Sequence, residues 1–444
     1  MSVRIPPSAP VVGLCLMALV LEGYDLLMFG TVVPSLLSYA PWNLDATDVG
    51  MLGSLVGVGM LVGALLAAAV ADRWGRRRTL LAAVLVFSAA MGVCAIAPTP
   101  AVFGIGRVVV GLGAGVLMPT AAATLIEFAA PGARARSVAL GFVGTSIGGI
   151  LAGVLSLWLV PEYGFRAMFL AGMVPALMFL PVMLRYLPES PAYLASRGRH
   201  DAATAIAHRY HLGLPADLNS ISGPDPTATP ERGLRALFGT ERTLATLLFW
   251  AMTLVCLLVL FGVATWLPAL MKSAGYPLGA ALSFLLALNV GGAAGALIGA
   301  TLADRYGIKP VTVAFFLSAA LSLLAIATAP PLAVIYLLVM LAGLGTTGTQ
   351  ILLNTYIGTY YPASCRATGL GMALGVGRIG AIIGPTYGGL FVALGADTTW
   401  QLFAFALPAV VGAVVTLLVP RRATGDTTTT LTPAAGPADR KAVS

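Results

Sequence analysis

From Pro310 to Cys365 the chain runs 56 residues without one charged side chain. A helix needs roughly 20 apolar residues to cross the hydrocarbon core of a bilayer. The stretch therefore holds two crossings, and Ala329-Pro330-Pro331 divides them. The same reading gives about twelve spans, near 11–39, 49–71, 79–97, 101–125, 137–160, 167–185, 243–270, 280–303, 311–328, 332–356, 367–393 and 399–419. Charged residues make up only 9% of the chain and mean hydropathy is +0.93. So few charges cannot cover a water-soluble globule, which excludes a soluble enzyme and equally a disordered chain. The short polar start, MSVRIPPSAP, leads straight into an apolar run that contains acids, so it is read as a retained first span rather than a cleaved signal. Cys15, Cys94, Cys256 and Cys365 are too scattered for a disulfide framework or metal site.

Lysine and arginine set the expected orientation. With the N-terminus inside and the spans alternating, 21 of the 25 basic residues fall inside and only Arg166 and Lys272 outside. Both termini are therefore placed in the cytoplasm, and the basic excess serves topology rather than nucleic acid. The expected organisation is a six-helix half over 1–185, a cytoplasmic loop over 186–242, a second six-helix half over 243–422 and a disordered tail over 423–444. A cytoplasmic amphipathic helix is expected from Ser190 to Tyr210.

The halves repeat one another. Ala71-Asp72-Arg73-Trp74-Gly75 returns as Ala303-Asp304-Arg305-Tyr306-Gly307, and Arg136-Ser137-Val138-Ala139-Leu140-Gly141 as Arg366-Ala367-Thr368-Gly369-Leu370-Gly371. The two offsets agree within two residues, which chance does not favour. An all-α membrane protein of twelve transmembrane helices in two pseudo-symmetric halves is how many secondary transporters are built, with the substrate near the midplane between them.

Ionisable residues inside spans point to function. Glu22 and Asp25, three residues apart, share a face of the first helix. They lie roughly 17–21 Å along it, near mid-bilayer. Two carboxylates cannot both stay charged there, so one is expected to hold a proton, as proton coupling requires. Arg378, near the middle of the eleventh span, is the candidate anchor for an organic anion, because guanidinium forks onto carboxylate. A permanent pairing with Asp25 or Glu22 is the alternative. Arg107, in the fourth span, either bridges helices or takes part in coupling. Tyr24, Trp266, Asn289, Gln350, Asn354 and Tyr387 are weaker candidates for substrate contact. Asp72, Arg73, Arg76 and Arg77, with Asp304, Arg305 and Arg366 in the repeat, form a candidate gate latch. Glu127 is expected to close onto Arg134 or Arg136. No cofactor or metal is called for.

The Asp72 to Arg78 loop, its echo at Asp304, the 6+6 layout and Arg107 followed by Gly111, Gly113 and Gly115 resemble the major facilitator superfamily. Ala68 and Ala300 stand where that family usually has glycine. Glu22-Gly23-Tyr24-Asp25, then Phe29-Gly30 and Pro34, resembles the narrower branch of aromatic acid:proton symporters, although the usual first acid there is Asp. The resemblance implies import of a benzoate- or hydroxybenzoate-type anion with protons by alternating access, in the cell membrane and by a single chain. Pro188-Glu189-Ser190-Pro191 resembles sugar porters as well. An efflux antiporter or a sugar or polyol porter are the alternatives. A membrane-embedded enzyme or a receptor is the reading from another class. Gly375-Val376-Gly377-Arg378-Ile379-Gly380 matches a dinucleotide-binding pattern only in letters, since it lies in a span with no preceding strand.

Overall fold

The computed structural model describes residues 8–129, 134–210, 212, 237–238, 242–361, 365–395 and 397–420. The expected disordered tail lies outside them. In chain order the long helices are α1 (Ala9–Leu37), α2 (Ala46–Trp74), α3 (Arg76–Ile96), α4 (Pro100–Glu127) and α5 (Arg134–Tyr186). Two short helices follow, α6 (Pro191–Ser196) and α7 (His200–Tyr210). The second half contains α8 (Thr243–Ser273), α9 (Leu278–Tyr306), α10 (Ile308–Ile326), α11 (Leu332–Tyr360), α12 (Arg366–Ala393) and α13 (Thr398–Leu418). A π turn, Leu344–Gly348, interrupts α11.

Helix α5 is continuous hydrogen-bonded helix over 53 residues except at Gly164 (φ 69, ψ −168). A straight helix of that length would reach about 80 Å, far more than the ~30 Å hydrocarbon core. The Arg77 guanidinium donates to the Leu184 carbonyl near its end, whereas the Phe165 amide donates to Ser35 Oγ (3.1 Å) at the far end of α1. The chain therefore reverses at Gly164, a backbone geometry glycine reaches without strain. Helix α5 therefore supplies two crossings, which brings the number among the described residues to twelve.

The expected helix from Ser190 to Tyr210 is instead two. Ser190 caps α6 by accepting the Tyr193 amide (3.1 Å). Gly198 (φ 72) then breaks the helix before α7, which buries Ala203 and Ala207.

The repeat extends into the packing. No space remains for a Cβ at Gly59 beside the Val108 carbonyl, nor at Gly111 beside the Val56 carbonyl, where α2 crosses α4. In α9 and α11, Gly291 meets the Met340 carbonyl and Gly343 the Leu288 carbonyl, every number being 232 higher. The corners match too, with Gly75 at φ 88, ψ 157 and Gly307 at φ 89, ψ 149. Two residues beyond each corner, a basic side chain reaches carbonyls ending the last span of its half. Arg77 takes Leu184, and Lys309 takes Leu417 (2.9 Å) and Val419 (2.7 Å). These basic corners lie at one end of the bundle, the arginine-rich end.

The seam between halves is tight at the opposite end. Gly30 packs on the Ala264 carbonyl, Gly50 on Pro385 and Thr386, and Gly57 on Ile382. Ser54 and Thr386 hydroxyls meet at 2.7 Å. The face of α12 that carries Ile382 and Arg378 continues to Gly375 and Gly371, and there a Cβ would have open space. The matching face of α2 continues to Ala64 and Ala68, both exposed. The halves thus touch at the far end and part toward the arginine-rich end.

Candidate functional site

Helix α1 is buried on nearly every side, which brings its polar residues inward with its apolar ones. Asp25 Oδ1 accepts from Arg107 Nη1 of α4 at 2.7 Å, and each side chain is 1% exposed. The guanidinium stands 4.7 Å from the centre of the Phe29 ring and 5.9 Å from that of Phe169. Rings present their negative faces to a cation, so they hold Arg107 where water does not reach it.

Glu22 lies one turn nearer the arginine-rich end and is fully buried. Neither of its carboxyl oxygens has a hydrogen-bond partner among the described residues. It lies within electrostatic reach of Asp25 and of Arg378.

Arg378 approaches this pair from the second half. It has no carboxylate partner among the described residues, and its Nη2 stands 3.7 Å from the Met118 sulfur, a weak acceptor. Arg378 and Arg107 line one cavity at the seam. Leu26, Phe29 and Met60 close it from the first half, Phe261, Thr265 and Pro385 from the second. Its volume is about 20 Å³, room for about one water. A molecule larger than water enters only when the cavity widens.

The other nominated contact residues lie elsewhere. The Tyr24 hydroxyl donates to the Met168 carbonyl (2.8 Å), and Trp266 Nε1 donates to the Pro385 carbonyl (2.7 Å). Asn289 Nδ2 donates to its own helix at Leu285 (2.9 Å), Gln350 Nε2 to Asn354 Oδ1 (3.0 Å), and the Tyr387 hydroxyl to Ala404 (2.8 Å). Tyr24, Trp266 and Tyr387 tie neighbouring helices, Asn289, Gln350 and Asn354 bond within their own, and none of the six lines the cavity. Phe29, Phe261 and Thr265 do line it, and they are not among the residues expected from sequence. Phe29 carried a signal, being four residues past Asp25 on the same face. Phe261 and Thr265, in a charge-free run, carried none.

At the arginine-rich end Glu127 pairs with Arg76 at 2.6 Å; the side chains of Arg134 and Arg136, its expected partners, lie outside the described residues. Glu189 Oε1 accepts the amides of Arg77 and Ser190, both at 3.0 Å, at the positive start of α3. The Arg73 carbonyl accepts from Arg197 Nη2 (2.9 Å) and the Tyr193 hydroxyl (3.2 Å). Asp72 and Asp304 are exposed and form no ion pair among the described residues. Arg305 lies over the Tyr306 ring (5.3 Å), and Arg366 is exposed at the start of α12.

Comparison with known proteins agrees with this architecture. The family model described as "Major Facilitator Superfamily" matches residues 15–385 and 288–442. The benzoate transport protein of Acinetobacter baylyi is 33% identical, over 93% of this chain and 89% of that one. The gentisate transporter of Corynebacterium glutamicum is 36% identical, over 87% and 82%. The gallate transporter of Pseudomonas putida is 32% identical, over 91% and 90%. Among solved structures, the partially occluded inward open conformation of the xylose transporter XylE from E. coli superposes with a TM-score of 0.73. It is 18% identical and covers 94% of this chain and 99% of that one.

Proposed function

The chain belongs to the major facilitator superfamily and is a multi-pass membrane transporter rather than an enzyme, and we propose that it imports an aromatic carboxylate together with protons by alternating access. One observation carries the reading. Arg378, without a carboxylate partner among the described residues, lines one cavity with Arg107 of the Asp25–Arg107 pair, with the buried carboxyl of Glu22 in its field.

The chemistry follows from that placement. The substrate carboxylate forks onto Arg378, and its ring lies against Phe29 and Phe261 when the cavity widens. The positive charge of Arg378 offsets negative charge on Glu22, and an anion seated on Arg378 cancels that field, so anion binding and proton binding go together. Substrate and proton then favour each other's binding, which is the thermodynamic requirement for symport. The arginine-rich end faces the cytoplasm of the cell, following the lysine and arginine asymmetry. Both halves of one chain supply the site, so the monomer suffices. A sugar site would present amides and neutral hydroxyls, whereas this cavity presents two guanidinium groups.

The test is uptake of labelled benzoate, hydroxybenzoates and gentisate into proteoliposomes under an imposed pH gradient, inside alkaline. Accumulation should appear with the gradient and vanish when an ionophore dissipates it. Xylose uptake without any aromatic acid uptake would overturn the assignment.

A further inference from the structure

A second basic site lies at the arginine-rich end, away from the seam. A groove of about 710 Å³ runs between the end of α5, the start of α3 and the short helices α6 and α7. Arg77, Arg78, Arg185, Arg197, Arg199 and Arg209 all line it, and Glu189 is the one acid among its lining residues. None of the six arginines forms an ion pair among the described residues. Glu189 is already engaged by the amides at the start of α3. Six like charges around one groove repel each other unless something negative sits among them.

Arg77 is half-buried and the other five are exposed, and three of these lie over a neighbouring tyrosine ring. Arg185 lies over the Tyr186 ring (5.8 Å), Arg197 over Tyr193 (5.4 Å) and Arg209 over Tyr210 (5.8 Å). Arg197 Nη2 already donates to the Arg73 carbonyl (2.9 Å), while Arg185 and Arg209 form no ion pair among the described residues. The Arg77 side chain, anchored to the Leu184 carbonyl, keeps its Nε buried and without a partner. Several forked donors converging from different helices suit an oxyanion with three or more oxygens better than a single carboxylate. Arg185 and Tyr186 end the sixth span, at the depth where a bilayer presents its headgroups.

We propose that this groove binds a phosphate-bearing anion, the headgroup of an anionic phospholipid or a soluble phosphate compound, and thereby ties α6 and α7 to the first half. The site is separate from the transport cavity and bears no catalytic step.

The experiment compares the full-length protein in phosphatidylcholine nanodiscs, in nanodiscs also containing phosphatidylglycerol, and in phosphatidylcholine nanodiscs with added inorganic phosphate or pyrophosphate. Thermal midpoints and titration curves are read. Stabilisation by phosphatidylglycerol supports the lipid source, and stabilisation by the soluble anions in neutral lipid supports the other. The triple variant R185Q/R199Q/R209Q should bind roughly a hundredfold more weakly, at about fivefold per arginine. The single variant R199Q, on an exposed connector, keeps the test alive if the triple variant folds poorly. The R421Q/R422Q variant, which removes charge from the chain end, should respond as wild type does. The proposal is overturned if neither anion stabilises the wild type, if the groove variants respond unchanged, or if R421Q/R422Q loses as much as they do. Stabilisation by benzoate alone through these arginines also overturns it.

Discussion

Asp25 and Arg107 meet at 2.7 Å on facing helices of one half, each 1% exposed. Removing one member of such a pair strands the other charge in an apolar place, a loss of about 3–5 kcal/mol. Asp25→Asn and Arg107→Gln should each lower the thermal midpoint and abolish gradient-driven accumulation. The double variant should be much less destabilised than the sum of the two, because neither charge is stranded. Additive losses in a double-mutant cycle would show that the two side chains do not depend on each other.

In the proposed mechanism Arg378 receives the substrate anion, and lysine cannot reproduce the planar fork. Arg378→Lys should weaken benzoate binding at least about tenfold, corresponding to roughly 1.4 kcal/mol, while folding stability changes little. Calorimetric titration of the purified protein reads this directly. Unchanged affinity would assign the residue to packing.

Glu22→Gln mimics the permanently protonated acid. Exchange of labelled for unlabelled substrate across the membrane should persist, since that cycle needs no net proton movement. Uphill accumulation driven by pH should disappear. A Glu22→Gln carrier that still concentrates benzoate would remove Glu22 from the coupling role.

Ser54 and Thr386 hydroxyls stand 2.7 Å apart across the seam at its closed end. Ser54→Cys with Thr386→Cys should form a disulfide on oxidation and block uptake, with reductant restoring it. The four native cysteines are buried and should not compete. Uptake that survives complete cross-linking, verified by mass spectrometry, would show that this end does not open during transport.

Gly111 and Gly343 occupy equivalent crossings in the two halves. Alanine at either site forces backbones apart, and overpacking of this kind costs about 1–3 kcal/mol. Both variants should show similar falls in thermal midpoint. A large loss at one and none at the other would contradict equivalent crossings.

The helices were legible because charge-free runs and basic loops are written directly in composition, and the corner repeat was visible as matching letters. The glycine crossings repeat at the same 232-residue interval but are not legible in the letters, since Gly59 and Gly291 are each one of several glycines in an apolar run. The charged residues of the site were readable because Glu22, Asp25, Arg107 and Arg378 stand out against lipid. Their pairing was not. Sequence spacing cannot say which of two buried arginines an acid will meet, and Asp25 takes Arg107 because α1 packs against α4 inside one half. Glu127 likewise takes Arg76 at the adjoining start of α3, a pairing that distance along the chain does not announce. The aromatic lining from α8 was hidden among many equivalent apolar residues.

The closed end of the seam is built from the smallest side chains in the protein, with Gly50, Gly57 and the Ser54–Thr386 contact meeting α12. Little apolar surface separates when such a strip unzips, so the switch between faces starts from a shallow energy well. Enlarging residues along this strip would therefore act as a brake on turnover, slowing cycling long before it altered which molecule is carried.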